Sequence, residues 1–378
     1  MQSQIKKIGI FPLHPFLYPG GVKNHVFELK KYLKKKGYNC KIGVPRGSLT
    51  EKYADKDIRL IGTALTIPFN GGYGDLAVCA APGQLEYWLE KEKFDVFHFH
   101  NIGFHSWQIM NRTNGVNVLT FHSNLGDVPG GKEVLAMTKE LMGKVHGIIG
   151  VSKVALAQFK DFSGPKIVIP NGIDVKKFNP KTKKLKKFLD GKINILFMGR
   201  LQERKGPMEM LKAYKIVQSS RDNVRLIMCG DGEQRGECEK FVADNKLKNV
   251  VFEGRVLEKD APNYYATCDI YCSPAVFGES FGIVLLEGMA SKKPVIAYNI
   301  DGYREVLAKH PKDFMVKCRD FQALGKRLGE LADNGAKREK LAQIGYQIAQ
   351  EYAWERVTDR ILAFYKECAK YKEELTKS

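Results

Sequence analysis

No stretch of this chain approaches the roughly 20 consecutive apolar residues that a membrane-spanning helix requires. Low-complexity tracts are missing as well. With 44% hydrophobic and 27% charged residues the composition is that of a folded chain, not of a disordered one. The eight cysteines never form a Cys-x-x-Cys pair, so neither a zinc ribbon nor a disulfide framework is indicated and they read as small core residues. The opening MQSQIKKIGIFPLHPF has too short an apolar run for a secretory leader and is cut by proline, so it reads as the first strand of a cytoplasmic protein.

Acidic residues are in short supply, 42 against 61 basic ones, which leaves a net charge of +19. Such a balance suits nucleic acid, anionic lipid or a phosphorylated ligand. The lysines gather in LKKYLKKKGYN (Leu29 to Asn39) and KKFNPKTKKLKKF (Lys176 to Phe188). In the first, Val22, Val26, Leu29 and Leu33 form an apolar helical stripe with lysines on the other faces. This is either a solvated face or a surface for an anionic membrane. Nucleic acid is disfavoured, because the basic residues are not interleaved with the aromatics that stacking requires.

At 378 residues two domains are expected. IKKIGIFPL, NCKIGVP, IRLIGT, FDVFHFHN, NVLTFHS and GIIGVS alternate with helical patterns, and the alternation restarts with INILFMGR, VRLIMCGDG, VVFEGRV, IYCSPA and KPVIAYN. The reading is α/β, with two doubly wound Rossmann-like domains facing across a cleft. The expected bounds are an amino-terminal domain over 1–185, a basic linker around 176–190, a second domain over 190–348, and a terminal segment over 349–378 that packs back on the first domain.

Arg200 and Lys205 leave a strand end in MGRLQERKG, on a loop that feeds a helix opening at Pro207. Two cations beside a helix N-terminus fit a diphosphate, and they equally fit an ordinary solvated loop. The turn GESFG carries Glu279 ahead of a helix whose first amides belong to Phe281, Gly282 and Ile283. Glu287 lies four residues beyond Ile283 in an almost wholly apolar helix. A buried carboxylate without partners costs several kcal/mol, so it needs either the diol of a ribose or a buried cation. A glycosidase acid and base pair would require a separation in space that sequence does not give. The glycines of CGDGEQRGE, Gly230 among them, depart from the dinucleotide fingerprint and read as a tight turn near a nucleotide. Gly20 and Gly21 in YPGGVKNH permit close approach of a ligand, or only a turn. His122 ends its strand, and His98 and His100 share one side of theirs.

In combination, GRLQERKG, GDGE, EGRV and GESFGIVLLEGMASKKPVIA resemble the donor-binding half of retaining GT-B glycosyltransferases of family four. The first half agrees from YPGGVKNHVFELKKYLKKKGYNCKIGVP through TFHS to IPNGIDVKKF, so the resemblance covers nearly the whole chain. IPFNGG and FGESFGIVLLE are most similar to the phosphatidylinositol mannosyltransferases.

The resemblance implies that Arg200 and Lys205, with Gly199 and Gly230 beside them, hold the donor diphosphate. It assigns Glu279 to hydroxyls of the transferred sugar, Phe281, Gly282 and Ile283 to sugar and phosphates, and Glu287 to the ribose. Val256 and Glu258 fall at the base, Gly20 and Gly21 under the diphosphate, and His122 at the sugar and acceptor. Where the inositol-lipid enzymes carry arginine for the acceptor phosphate, residues 71–90 have no basic residue.

The implied reaction is hexosyl transfer with retention, mannose from GDP-mannose being favoured, to a lipid or lipid-linked acceptor. Cations would replace the metal at the diphosphate, and neither a metal nor a cofactor beyond the nucleotide-sugar co-substrate is expected. The expected location is cytoplasmic, peripheral at the inner membrane face. Other readings are a UDP-sugar-dependent transferase acting on a soluble glycan precursor, a nucleotide-sugar epimerase, and a non-catalytic basic α/β protein that binds nucleic acid or membrane.

Overall fold

The computed structural model describes residues 5–16, 21–48, 50–69, 72–78, 82–101, 103–123, 136, 140–279, 281–307 and 309–377. It divides into two units, one made of Met1–Gly172 with Trp354–Ser378, the other of Ile173–Ala353.

The first unit is built on strands β1 (Lys7–Pro12), β2 (Asn39–Arg46), β3 (Ile58–Phe69), β4 (Gly72–Val78), β5 (Val96–His100), β6 (Val116–Phe121), β7 (Gly147–Gly150) and β8 (Lys166–Val168). They lie in the order β4-β3-β2-β1-β5-β6-β7-β8. All pairings in it are parallel except β3 with β4. Such strands are covered on both faces, which is why IGIF in β1 and GIIG in β7 are apolar without a break. Alternation sends Phe11, Phe97 and Phe99 to one apolar layer, and Ile8, Ile10 and Val96 to the other.

On that second layer lie the helix Gly21–Lys35, through Val26, Leu29 and Leu33, and the helix Trp354–Leu375, through Trp354, Ile361 and Phe364. The lysine-rich face of the first helix is largely matched by acids. Lys30, itself buried, and Lys34 pair with Asp55 and Asp57, Lys31 with Glu28, and Lys36 with Asp359.

The second unit holds β9 (Ile193–Met198), β10 (Val224–Cys229), β11 (Val250–Gly254), β12 (Ile270–Ser273), β13 (Val295–Asn299) and β14 (Met315–Lys317). They run parallel in the order β11-β10-β9-β12-β13-β14. Counted along this unit the order is third, second, first, fourth, fifth, sixth, the doubly wound dinucleotide-fold arrangement.

The chain enters this unit at Ile173, ahead of the expected bound at 185. The lysine-rich stretch is no free linker. Ile173, Phe178 and Phe188 are buried in the second core, and Leu185 N donates to Thr267 Oγ1 at 2.8 Å. The helix Gly335–Glu351 likewise carries the unit past the expected end at 348, so the terminal helix begins at Trp354, not Ala349. Among the described residues no helix is long and apolar enough to cross a membrane.

Candidate active site

In the second unit the winding reverses between β9 and β12, and ligands of open parallel sheets bind beyond the strand ends at such a point. The two segments singled out in sequence leave from these two strands. The loop after β9 carries Gly199, Arg200 and Lys205, and the loop after β12 carries Glu279. The loops are clasped backbone to backbone. Val276 N donates to the Arg204 carbonyl at 2.9 Å, and a Cβ on Gly206 would lie 2.0 Å from the Pro274 carbonyl oxygen. With its φ of +68°, Gly206 therefore tolerates no side chain; it is also the cap from which the helix Pro207–Gln218 starts.

Lys205 Nζ lies 2.5 Å and Arg204 Nη1 2.9 Å from the same oxygen, Oε1 of Glu279, whose side chain is only 10% exposed. Arg204 is the residue that sequence reasoning missed; nothing in the local pattern separates it from a solvated neighbour of Lys205. Arg200 is exposed, and its side chain has no hydrogen-bond or ion-pair partner among the described residues. The three cations are thus unequal: two are committed to a carboxylate and one is free for an anion.

Gly230 serves the neighbouring loop. At φ +138° its Cβ would fall 1.8 Å from the Gly199 carbonyl oxygen, so the close approach that demands glycine is to protein backbone. Gly199 N donates to the Cys229 carbonyl at 2.9 Å, completing the contact between the two loops. Gly282, at φ +86°, caps the helix Ile283–Ala290, and a Cβ there would meet the Tyr303 ring at 2.5 Å. Phe281 is buried against Tyr352. Among the described residues no side chain caps this helix, so its first amides, that of Ile283 among them, stay available.

Glu287 projects from the same helix and keeps partial exposure. Burial of its carboxyl pushes the pKa up to about 7, against the Tyr265 hydroxyl and the positive charges of Lys177 and Lys205, which favour ionisation. No buried Lys or Arg pairs with it among the described residues, so of the two partners expected for it the cation is absent. Val256 is partly buried against the second core. Glu258 is exposed and receives Lys177 Nζ at 2.9 Å.

In the first unit Gly21 opens its helix, with nothing among the described residues within 4 Å of where a Cβ would stand. Gly20 lies outside the described residues. His122 follows β6, its amide donating to Asn101 Oδ1 at 2.8 Å, and its Nε2 is 2.9 Å from His100 Nδ1. His98 and His100 do share a side, with ring centroids 4.3 Å apart. Burial holds all three well below the usual imidazole range, His98 at about 3.

The sequence matches the model of the family Glycosyl transferases group 1 over residues 178–348 and that of Glycosyltransferase Family 4 over residues 19–177. The phosphatidyl-myo-inositol mannosyltransferase of Mycobacterium tuberculosis strain H37Rv is 30% identical, the match covering 96% of this chain and 97% of that one.

The chain belongs to the family-four GT-B glycosyltransferases.

This glycosyltransferase is also 29% identical to the D-inositol 3-phosphate glycosyltransferase of Paenarthrobacter aurescens, over 53% of its own length and 51% of the relative's. Among solved structures a glycosyltransferase of Rickettsia africae superposes with a TM-score of 0.76 at 21% identity, covering 96% of this chain and 98% of that one. Sucrose-phosphate synthase of Thermosynechococcus elongatus superposes with a TM-score of 0.74 at 18% identity, covering 99% and 100%. These two likenesses speak to the fold.

Proposed function

We propose that this glycosyltransferase moves a hexosyl group, mannose from GDP-mannose, to a lipid or lipid-linked acceptor with an inositol phosphate head group. It does so with retention at the anomeric carbon and with no metal at the diphosphate. The observation that carries the reading is Glu279 held by Arg204 and Lys205 between the strand ends that flank the reversal of the sheet. Arg200 and the open amides of the helix Ile283–Ala290 supply further positive potential there.

As the bond from anomeric carbon to diphosphate breaks, negative charge grows on the leaving phosphate. Lys205 and Arg200 stabilise that charge. Glu279 accepts hydroxyls of the hexose, and Glu287 those of the ribose. The acceptor hydroxyl attacks from the face the diphosphate leaves, and the diphosphate oxygen takes its proton. Val256 and Glu258 meet the base. His122 and Gly21 are assigned to the reaction by the family resemblance.

The named function of the relatives that span the whole chain supports an inositol phosphate acceptor. Residues 71–90 hold no basic residue, so the acceptor phosphate is met by cations elsewhere. A lipid acceptor places the enzyme peripherally on the cytoplasmic membrane face.

Thermal shifts with GDP, UDP and ADP and their sugar conjugates, in chelator, test the donor. A ligand at about 100 times its Kd adds roughly 2.7 kcal/mol of stability. A GDP-selective shift that is lost in Lys205→Ala is expected. A UDP-selective shift would replace the donor, and no shift with any nucleotide would leave a basic binding protein. Transfer to phosphatidylinositol vesicles, with the product anomer read by NMR, tests the acceptor and retention.

A further inference from the structure

We infer that His25, His100 and His122 form a site for a first-row transition-metal ion of the zinc and cobalt class. Each offers one ring nitrogen, and these atoms lie within 4.8 Å of one another with all three residues buried. They come from three elements: the helix after β1, the end of β5, and the residue beyond β6. The winding of the first sheet reverses between β1 and β5, so the cluster sits where an open sheet binds its ligand.

Hydrogen bonding fixes which nitrogens are free. His25 Nδ1 is 2.8 Å from Asn171 Oδ1, an oxygen that only accepts, so Nδ1 carries the proton and Nε2 a bare lone pair. That Nε2 is buried and has no partner among the described residues, and neither has His100 Nε2. With the proton between His100 Nδ1 and His122 Nε2 placed on His100, His100 Nε2 is a second bare lone pair, while His122 Nε2 accepts that hydrogen bond and becomes the third ligand by exchanging it for the ion.

His98 beside them differs, because its Nε2 meets Thr120 Oγ1 at 2.6 Å and its Nδ1 the Tyr365 hydroxyl at 2.7 Å. The cluster thus presents two unprotonated, unpartnered imidazole nitrogens, that of His25 oriented by an amide as metal-bound histidine is by its outer partners, with His122 Nε2 beside them. Three imidazoles without a carboxylate suit zinc-like ions and leave a coordination position open. His122 is assigned to sugar transfer under the function proposed above. On that reading an occupied site withdraws it from transfer, and the ion inhibits.

The test is titration of the chelator-stripped full chain with Co2+. One equivalent is expected to bind with the visible bands of a nitrogen-ligated site, bleached by Zn2+. Binding should be lost in His25→Gln and His100→Gln and kept in His98→Gln, each checked for fold by circular dichroism. Asn171→Ala, which spares all three rings, should weaken binding about tenfold or more; it keeps the test decisive should a histidine variant unfold. No bands at one equivalent, or bands that survive every substitution, overturn the site.

Transfer is measured separately, with inhibition by Zn2+ that a chelator reverses as the expected result. Cobalt binding without zinc inhibition upholds the ion site and overturns its inhibitory role. Cobalt binding in a chain with no affinity for nucleotide sugar upholds the site and refutes the proposed transferase.

Discussion

Lys205 Nζ and Arg204 Nη1 converge on one oxygen of Glu279, at 2.5 and 2.9 Å. The cation that would grip a diphosphate is therefore held in place by an anion before any donor arrives. On the proposed function, binding would exchange one anionic partner for another, releasing Glu279 to the sugar as Lys205 turns to the phosphate.

Glu279→Gln should separate binding from transfer. Without its carboxylate both cations are freer for phosphate, so GDP affinity by calorimetry should hold or rise. Steady-state kcat should fall by about 10²-fold or more as the sugar contact is lost. Lys205→Ala should lose both.

Glu287 should make stability depend on pH. The unfolded carboxyl titrates near 4.5 and the folded one near 7. Between these values the unfolded chain sheds a proton that the folded one keeps, so stability falls as pH rises and the penalty is complete above 7. Glu287→Gln should raise urea-unfolding stability above that range by about 1–3 kcal/mol, with the gain vanishing towards pH 4.5. Nucleotide affinity should fall in the same variant, and nucleotide binding to the wild type near neutral pH should release protons.

Gly230→Ala should damage the second unit. A Cβ 1.8 Å from the Gly199 carbonyl at φ +138° must push the Arg200 loop away. A cost of roughly 3 kcal/mol in urea unfolding is expected, together with weakened nucleotide binding. Gly236→Ala, with open space around its Cβ, is the control and should be neutral.

Tyr365→Phe should cost about 1–2 kcal/mol by chemical unfolding, since it leaves His98 Nδ1 buried without its 2.7 Å partner. Nucleotide affinity should not change.

Most strands were legible because both faces of a parallel sheet are covered, which writes them as largely apolar runs. The exceptions lie at the edges. β4 pairs antiparallel with β3, and three-residue β14 closes the other sheet; edge strands carry a weaker apolar signal. The basic linker was misread because Phe178 and Phe188 anchor it to a core while the lysines around them dominate its composition. Arg200, Lys205 and Glu279 could be named from spacing and family pattern. The sharing of Glu279 by Arg204 could not, because it depends on two loops from non-consecutive strands. The histidine cluster was half visible, as His100 on β5 and His122 at the end of β6; His25 joins only through the fold.

The first unit is assembled from two separated pieces of chain. Its apolar layer on the face of Val26, Leu29 and Leu33 is closed by the helix Trp354–Leu375, which is translated after the whole of the second unit. On the ribosome the contiguous unit can mature first, while its predecessor waits with an uncovered greasy face. The second unit should thus become protease-resistant on nascent chains before the part that precedes it, and that waiting interval is when chaperones have most to protect.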